Sequence, residues 1–177
     1  MNKIFIAFFI MLFSCSSAPE QEETVKERKL KAQLKKLPAD RKFFQLEYYS
    51  NWRIDSSDKD FDPDNYFELS TATDNGFVIF YIFENRIDTK DFVEDQIKGF
   101  TKAMKDMKVT RFENWGKYKG QGATIVGMLM GLECEVRAFA YTNNNMGFGM
   151  ATQIFTEDRA KDEPGLELVE STFRLKE

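Results

Sequence analysis

The sequence contains no histidine. Histidine is the side chain that most often acts as a general base near pH 7, and it is the commonest protein ligand for transition metals. A hydrolase built on a nucleophile–histidine pair and a metal site built on imidazoles are therefore excluded.

Cysteine is scarce, with only Cys15 and Cys134 present. Cys134 alternates with Val136 and Ala138, which predicts that its side chain points inward from a strand. Without a histidine to activate it, we expect a core thiol and not a nucleophile. Since Cys15 has another predicted role, described below, we expect no structural disulfide.

The chain also lacks an excess of positive charge, because its formal net charge is −4. Basic residues are concentrated between 24 and 42, so the part that follows carries about eight more acidic than basic residues. Such a domain is a poor nucleic-acid binder. Hydrophobic content of 42% and aromatic content of 15% predict a well-filled core.

No cofactor is expected from the glycine pattern. Gly120-x-Gly122 suggests a phosphate loop, but Ile125 stands where a dinucleotide motif needs glycine or alanine. No P-loop lysine–serine pair is present either. Turns and close sheet packing explain these glycines better.

Long hydrophobic runs are limited to one, Ile4 to Phe13, which follows the basic Lys3. Ten apolar residues make about 15 Å of helix, roughly half the thickness of the hydrocarbon layer. The run is too short to span a membrane and has the length of the hydrophobic region of a signal peptide.

The sequence Leu12-Phe13-Ser14-Cys15 resembles the lipobox of bacterial lipoproteins. The resemblance implies that a diacylglyceryl group is attached to the Cys15 sulfur, that the chain is cut between Ser14 and Cys15, and that the new amino group receives a fatty acid such as palmitate. Two or three acyl chains hold a protein firmly on a bilayer. We therefore expect a lipid anchor in the cell envelope, in the outer rather than the inner membrane.

Two alternatives remain for this leader. One is ordinary secretion with cleavage after Ala18, although Pro19 is a poor residue to follow the cut. The other is an uncleaved anchor, against which the length of the hydrophobic run argues.

Residues 15–42 are predicted to be a tether between the signal peptide, residues 1–14, and a single domain, residues 43–177. The tether begins with a polar, acidic stretch, and the capping-box pattern Thr24-x-x-Glu27 then predicts a basic helix that stops at Pro38. The apolar residues of this helix form only a narrow stripe along one side. The helix either lies on anionic lipid or a partner, or is a spacer that packs on its own domain, and we favour the spacer.

The domain is predicted to contain strands and two helices. The strand segments include KFFQLEYY, NYFELSTA, FVIFYIF, VTRFENWG, GATIVGMLM, CEVRAFAYT and FGMATQIFT. One helix is predicted over residues 87–108 and the other from Pro164 to Phe173. Because several strands are apolar on both faces and joined by turns, we predict an α+β fold: a three-layer α-β-α sandwich with a mainly antiparallel sheet of about six strands and helices on both faces.

The segment Phe44-x-Leu46-x-Tyr48-Tyr49-Ser50-Asn51-Trp52 resembles the start of the PsbP-like fold, and the closing Val169-x-x-x-Phe173 segment also fits it. The resemblance covers residues 43 to 175. Members of that fold are mostly adaptor or binding proteins, so the resemblance implies a non-catalytic module.

Four aspartates alternate in the segment DKDFDPDN: Asp58, Asp60, Asp62 and Asp64. Carboxylates recur in this way in calcium loops. However, Pro63 occupies the position of the usual glycine, and the bidentate glutamate is missing. We expect a solvated acidic loop, with Ca²⁺ binding as the alternative.

These patterns favour a membrane-anchored envelope lipoprotein that binds or assembles a protein partner without catalysis. The alternative is a carrier of a small apolar ligand, and an enzyme is less favoured. An apolar pocket of several hundred Å³ would indicate the carrier. A solid core with an exposed aromatic patch would indicate the adaptor.

Overall fold

Alternating apolar residues build the strands of this protein. A computed structural model describes residues 34–56, 62–143 and 145–176. The strands are β1 (Lys36–Asp40), β2 (Phe44–Tyr49), β3 (Arg53–Asp55), β4 (Tyr66–Ser70), β5 (Phe77–Phe83), β6 (Met104–Trp115), β7 (Tyr118–Leu129), β8 (Leu132–Thr142), β9 (Gly147–Phe155) and β10 (Arg174–Leu175). The helices are α1 (Thr89–Thr101) and α2 (Arg159–Thr172), and a 3-10 turn, Thr156–Asp158, leads into α2.

The strands form two sheets. The larger has seven strands in the order β3-β4-β5-β9-β8-β7-β6, and the smaller has the order β1-β2-β10. All paired strands are antiparallel. The predicted α+β class with a large antiparallel sheet is confirmed, while the expected number of about six strands was too low.

Strand β6 forms one edge of the large sheet. Its pairing with β7 is interrupted twice by register shifts, between Lys105 and Lys108 and between Phe112 and Asn114. Asp106, within the first interruption, has a positive φ of 52°. Between the two interruptions the register is continuous over Lys108 to Phe112.

A cluster of aromatic rings fills the space between β2, the large sheet and α2. Phe173 lies at its centre and is completely buried. Its ring stacks on Phe80 with centroids 4.7 Å apart, and it lies 4.9 Å from Phe148 and 5.3 Å from Trp115. Ring pairs at such separations add stability beyond the buried area.

A second apolar cluster joins α1 to β6, β7 and β8. Val93 and Ile97 of the helix belong to it together with Cys134 and Val136 of β8. Phe139, at an odd position of β8, belongs instead to the aromatic cluster. Because successive residues of a strand point to opposite faces, the two clusters lie on opposite sides of β8.

Helix α1 is shorter than the sequence predicted. It begins after Asp88, whose side chain accepts hydrogen bonds from the backbone of Lys90 and Asp91, and it ends at Thr101. Residues 104–108 were expected to extend it, but they begin β6, and Met104 is buried there. Pairing along β7 therefore overrides the helical spacing of the methionines.

Two further boundaries differ from the prediction. Residues 36–40, assigned from the sequence to the end of a tether helix and its exit, form β1 along β2, so the folded unit begins at Leu34 and not at residue 43. Pro38 is tolerated because β1 is an edge strand. Helix α2 begins at Arg159, and Pro164 lies inside it instead of opening it.

Buried polar contacts fix the start of α2 against the turn between β4 and β5. Asp158 accepts a hydrogen bond from Asn75 at 2.9 Å, and Asp162 accepts one from Thr73 at 2.7 Å. The bonds from Asn75 and Lys161 hold the pKa of Asp158 below its usual value. These contacts set the position of the helix that forms one wall of the cleft described next.

Candidate functional site

A cleft of about 460 Å³ lies between α2 and the large sheet. It receives residues from β8, β9, α2 and the turn between β6 and β7. Apolar side chains, Ile154 and Leu166, form part of its lining. The rest is dominated by charge, because six lining residues are ionisable: Glu135, Arg137, Arg159, Glu163, Glu167 and Glu170.

Arg159 bridges the two walls of the cleft. Its Nη2 donates to Glu135 on β8 at 2.7 Å, and its Nη1 donates to Glu163, one helical turn further along α2, at 3.2 Å. Burial alone disfavours the charged guanidinium, but the bonds and charges of both glutamates outweigh it, so the pKa of Arg159 lies above its usual value. The side chain is a fixed cation in the accessible pH range.

Arg137 lies on the same face of β8 as Glu135, two residues further along the strand. Its Nη1 lies 3.8 Å from Glu170 on α2, and its guanidinium lies 5.2 Å from the centre of the Phe112 ring. Phe112 in turn stacks on Phe139. The arginine is thus held between a carboxylate and an aromatic face, which is an arrangement that favours a guanidinium over an ammonium.

Glu170 also holds the turn between β6 and β7. Its Oε1 accepts the backbone N–H of Gly116 at 2.8 Å. Gly116 has a φ of +53°, and a Cβ atom there would lie 2.9 Å from the carbonyl oxygen of Glu170. Only glycine suits both the conformation and the close approach.

The cleft therefore presents two arginines whose positions are fixed by glutamates, next to a small apolar surface. Such paired charges are suited to recognising a charged partner group, because they are oriented before it arrives. The lining is charged, so this cleft does not meet the criterion for a carrier of an apolar ligand. The exposed aromatic patch that would indicate an adaptor is not found among the described residues either, whose large exposed hydrophobic side chains are Val109, Met130 and Leu132.

Cys134 is a free thiol and completely buried. Burial, with a contribution from the charge of Glu135, raises the pKa of the thiol to about 11. The expectation of a core thiol on an inward-facing strand position is met.

Most of the other predicted site residues lie outside the described part of the chain. These are Ser14, Cys15, Asp58 and Asp60. Asp62 accepts hydrogen bonds from the backbone of Asp64 at 3.1 Å and from the side chain of Asn65 at 2.8 Å, and the bond from Asn65 lowers its pKa.

The carboxylate of Asp64 accepts the backbone N–H of Lys42 at 2.9 Å. Within the described ranges no group of three or more cysteine, aspartate or glutamate side chains is arranged to hold a metal ion. The solvated acidic loop stays the prediction, and Ca²⁺ binding by this loop stays the alternative. Absence of both heat and a thermal shift at millimolar Ca²⁺ would contradict that alternative.

Among residues 34–56, 62–143 and 145–176, no helix is long and apolar enough to cross a membrane.

Comparison with known proteins places the chain near several solved structures. No protein-family model matches it, and neither does any curated protein. A protein of Bacteroides thetaiotaomicron is similar over 76% of this chain at 14% identity and a TM-score of 0.49, and the chain spans 45% of that protein's length.

Two named proteins are also similar. LpqN of Mycobacterium tuberculosis, described as involved in cell envelope biogenesis, has 10% identity and a TM-score of 0.46, over 87% of this chain and 98% of LpqN. The cyanobacterial PsbP of Synechocystis has 9% identity and a TM-score of 0.45, over 75% of this chain and 86% of its own. No family is thereby assigned to the chain.

The sequence pattern missed most of the cleft. Glu135 and Arg137 share a face of β8 by their spacing, but that spacing does not show that they face α2 and pair with it. Arg159 was missed because the helix was expected to begin at Pro164. A signal was present in the spacing of Arg159 and Glu163, since residues four apart share a helix face.

Proposed function

We propose that this chain is a membrane-anchored envelope lipoprotein, attached through lipid on Cys15, whose folded unit is a non-catalytic module that binds or assembles a protein partner. The proposal includes the three-layer arrangement with α1 and α2 on opposite faces of the large sheet. The site of attachment is supported by the Leu12-to-Cys15 pattern. The binding role is supported by the charged cleft beneath α2.

The observation that carries the binding role is the fixed position of Arg159, which pairs with Glu135 across the two walls of the cleft and with Glu163 along α2. A guanidinium held in this way stays protonated, so its role is recognition and not proton transfer. The buried thiol of Cys134, with its raised pKa, is likewise unsuited to act as a nucleophile. Both observations support a binding module over an enzyme.

The anchor is tested by substituting each cysteine in the full chain. We expect Cys15→Ser to release the protein from the membrane fraction, whereas the matched variant Cys134→Ala stays bound. Mass spectrometry of the mature N-terminus should show a lipidated Cys15. A Cys15→Ser protein that stays in the membrane would contradict the anchor.

The cleft is tested by affinity capture from membranes with the lipidated protein. We expect a protein partner whose capture is lost in Arg159→Glu and retained in Arg86→Glu, a matched reversal of an exposed arginine far along the chain. If a lipid or small metabolite co-purifies and no protein does, the adaptor role fails. If both variants capture the partner equally, the cleft is not the binding surface.

A further inference from the structure

The hairpin between β7 and β8 ends in an exposed apolar tip, which we define as Met128 to Leu132. Met130 is 92% exposed and Leu132 is 43% exposed. They are two of the three large hydrophobic side chains that are exposed among the described residues. Two exposed apolar side chains close together at a hairpin turn are suited to contact an apolar phase.

The backbone of the tip makes the choice of methionine unexpected. Met130 and Gly131 are the two central residues of the turn, and both have positive φ, 53° and 87°. Two-residue hairpin turns of this kind favour Asn-Gly or Asp-Gly, because asparagine and aspartate tolerate the left-handed region. Methionine does not improve the turn, so its side chain is explained better by what it contacts outside the fold.

Three exposed lysines accompany the tip: Lys102, Lys105 and Lys108. Lys105 pairs directly with Met128 of the tip. None of the three forms an ion pair with another described residue.

Three exposed carboxylates lie at this end of the sheet: Asp106 on β6, Glu133 on β8 and Glu157 in the 3-10 turn after β9. These six charged groups together carry no net charge, but they are unevenly placed, because the β6 side of the tip carries the three lysines against Asp106 alone. An apolar tip with a positive flank is complementary to an anionic lipid surface.

We propose that the tip docks on the membrane, with Met130 and Leu132 entering the interfacial layer of an anionic bilayer and the three lysines resting on its headgroups. This proposal rests on the lipid anchor proposed above. Two apolar side chains offer far less than the roughly 800 Å² per partner of a stable protein interface. They suffice for a weak contact with a bilayer that is measurable without the anchor at high lipid concentration, and the anchor strengthens this contact because it raises the effective concentration.

The test places an environment-sensitive fluorophore at the tip of the full chain. Met130→Cys is labelled with the dye NBD, since the buried Cys134 thiol is unreactive in the native protein and a lipidated Cys15 has no thiol to label. The labelled protein is reconstituted into vesicles of phosphatidylcholine with 30% phosphatidylglycerol, a composition chosen on the principle of anionic surface attraction. Lys90→Cys, an exposed position on α1, is the matched control.

We expect blue-shifted emission at position 130 that is quenched by spin-labelled lipid, and water-like emission at position 90. Equal, water-like emission at both positions would overturn the proposal. Emission from position 130 that is water-like on pure lipid but shifts in native envelope membranes would assign the tip to a protein partner, which also overturns it.

A second measurement keeps the tip separate from the anchor. The Cys15→Ser chain is titrated with the same vesicles, and co-flotation is compared with that of the same chain carrying Met130→Asn or Lys105→Glu. We expect Met130→Asn to weaken vesicle binding on the order of tenfold. Lys105→Glu should weaken it at least fivefold at low salt, since each lysine near an anionic surface contributes about fivefold.

Identical flotation of the three chains would overturn the tip proposal even if the anchor is correct. Conversely, if the tip substitutions weaken vesicle binding of the Cys15→Ser chain, the tip proposal holds even when the anchor proposal is wrong. Folding is checked by circular dichroism, and Lys90→Glu serves as the charge control that should leave binding unchanged.

Discussion

Replacing Met130 by asparagine should make the folded protein more stable, although most substitutions destabilise. Met130 has a φ of 53°. A side chain with a Cβ atom in the left-handed region is held there at a cost of about 1–2 kcal/mol per residue, and asparagine lowers that cost through its local hydrogen bonding. Because Met130 is 92% exposed, little packing is lost in the exchange.

The size of the expected gain in stability follows from the preference for asparagine at positions with positive φ. Asparagine is several-fold enriched over ordinary residues at positive φ, which corresponds to about 0.5–1 kcal/mol in the free energy of unfolding. The folded unit from Leu34 to Glu177 has an unfolding entropy of about 0.3 kcal/mol per kelvin at the usual value per residue. The melting temperature should therefore rise by about 2–3 °C.

The assay is urea unfolding followed by circular dichroism, with thermal melts as a second measurement. Val109→Asn is the matched control, because Val109 is also exposed but lies in β6 and is not among the residues with positive φ. Asparagine is unfavourable in strands, so this control should lose a few tenths of a kcal/mol. A loss of stability of similar size in both variants would refute the argument from backbone conformation.

Three further predictions follow from the core and the cleft. Phe173→Ala should lower the free energy of unfolding by about 4 kcal/mol because it opens a cavity among stacked rings. The half-buried Phe83→Ala should cost clearly less, and equal losses would contradict a central role for Phe173. The thiol of Cys134 should resist a disulfide reagent at pH 8 in the native state, since a pKa of about 11 leaves only about one thiolate in a thousand; rapid native labelling would be incompatible with its burial. A double-mutant cycle on Glu135 and Arg159 should give a coupling of about 1 kcal/mol, and a value near zero would mean that their contact does not hold α2 on β8.

Much of the sheet could be predicted from the sequence because its strands have clear hydrophobic patterns and turns. FVIFYIF was predicted as a strand and forms β5, and the segment around Cys134 forms β8. The limits of α1 could not be predicted in the same way. Met104 and Met107 continue its helical spacing, and only the pairing of Met104 with Leu129 of β7 shows that they belong to a strand.

The cleft was harder to predict than the sheet. Glu135 and Arg159 are 24 residues apart, and their contact depends on how α2 crosses the sheet. No local pattern encodes that crossing, which is set by the fit of Phe173 into the aromatic cluster and by the hydrogen bond from Thr73 to Asp162. The sequence indicated the charged residues themselves, but not that they would face one another.

Under the proposed lipid anchor, the interrupted edge strand β6 bears on how neighbouring molecules meet at the membrane surface. Proteins anchored in a plane meet one another often and in similar orientations, so a long open strand edge would promote aggregation by joining sheets of neighbouring molecules. The two bulges divide β6 into short paired stretches, of which Lys108 to Phe112 is the longest in regular register, and a bulge increases the local twist of a strand. The protein can therefore reach a high surface density without aggregating. Straightening either bulge should make it aggregate.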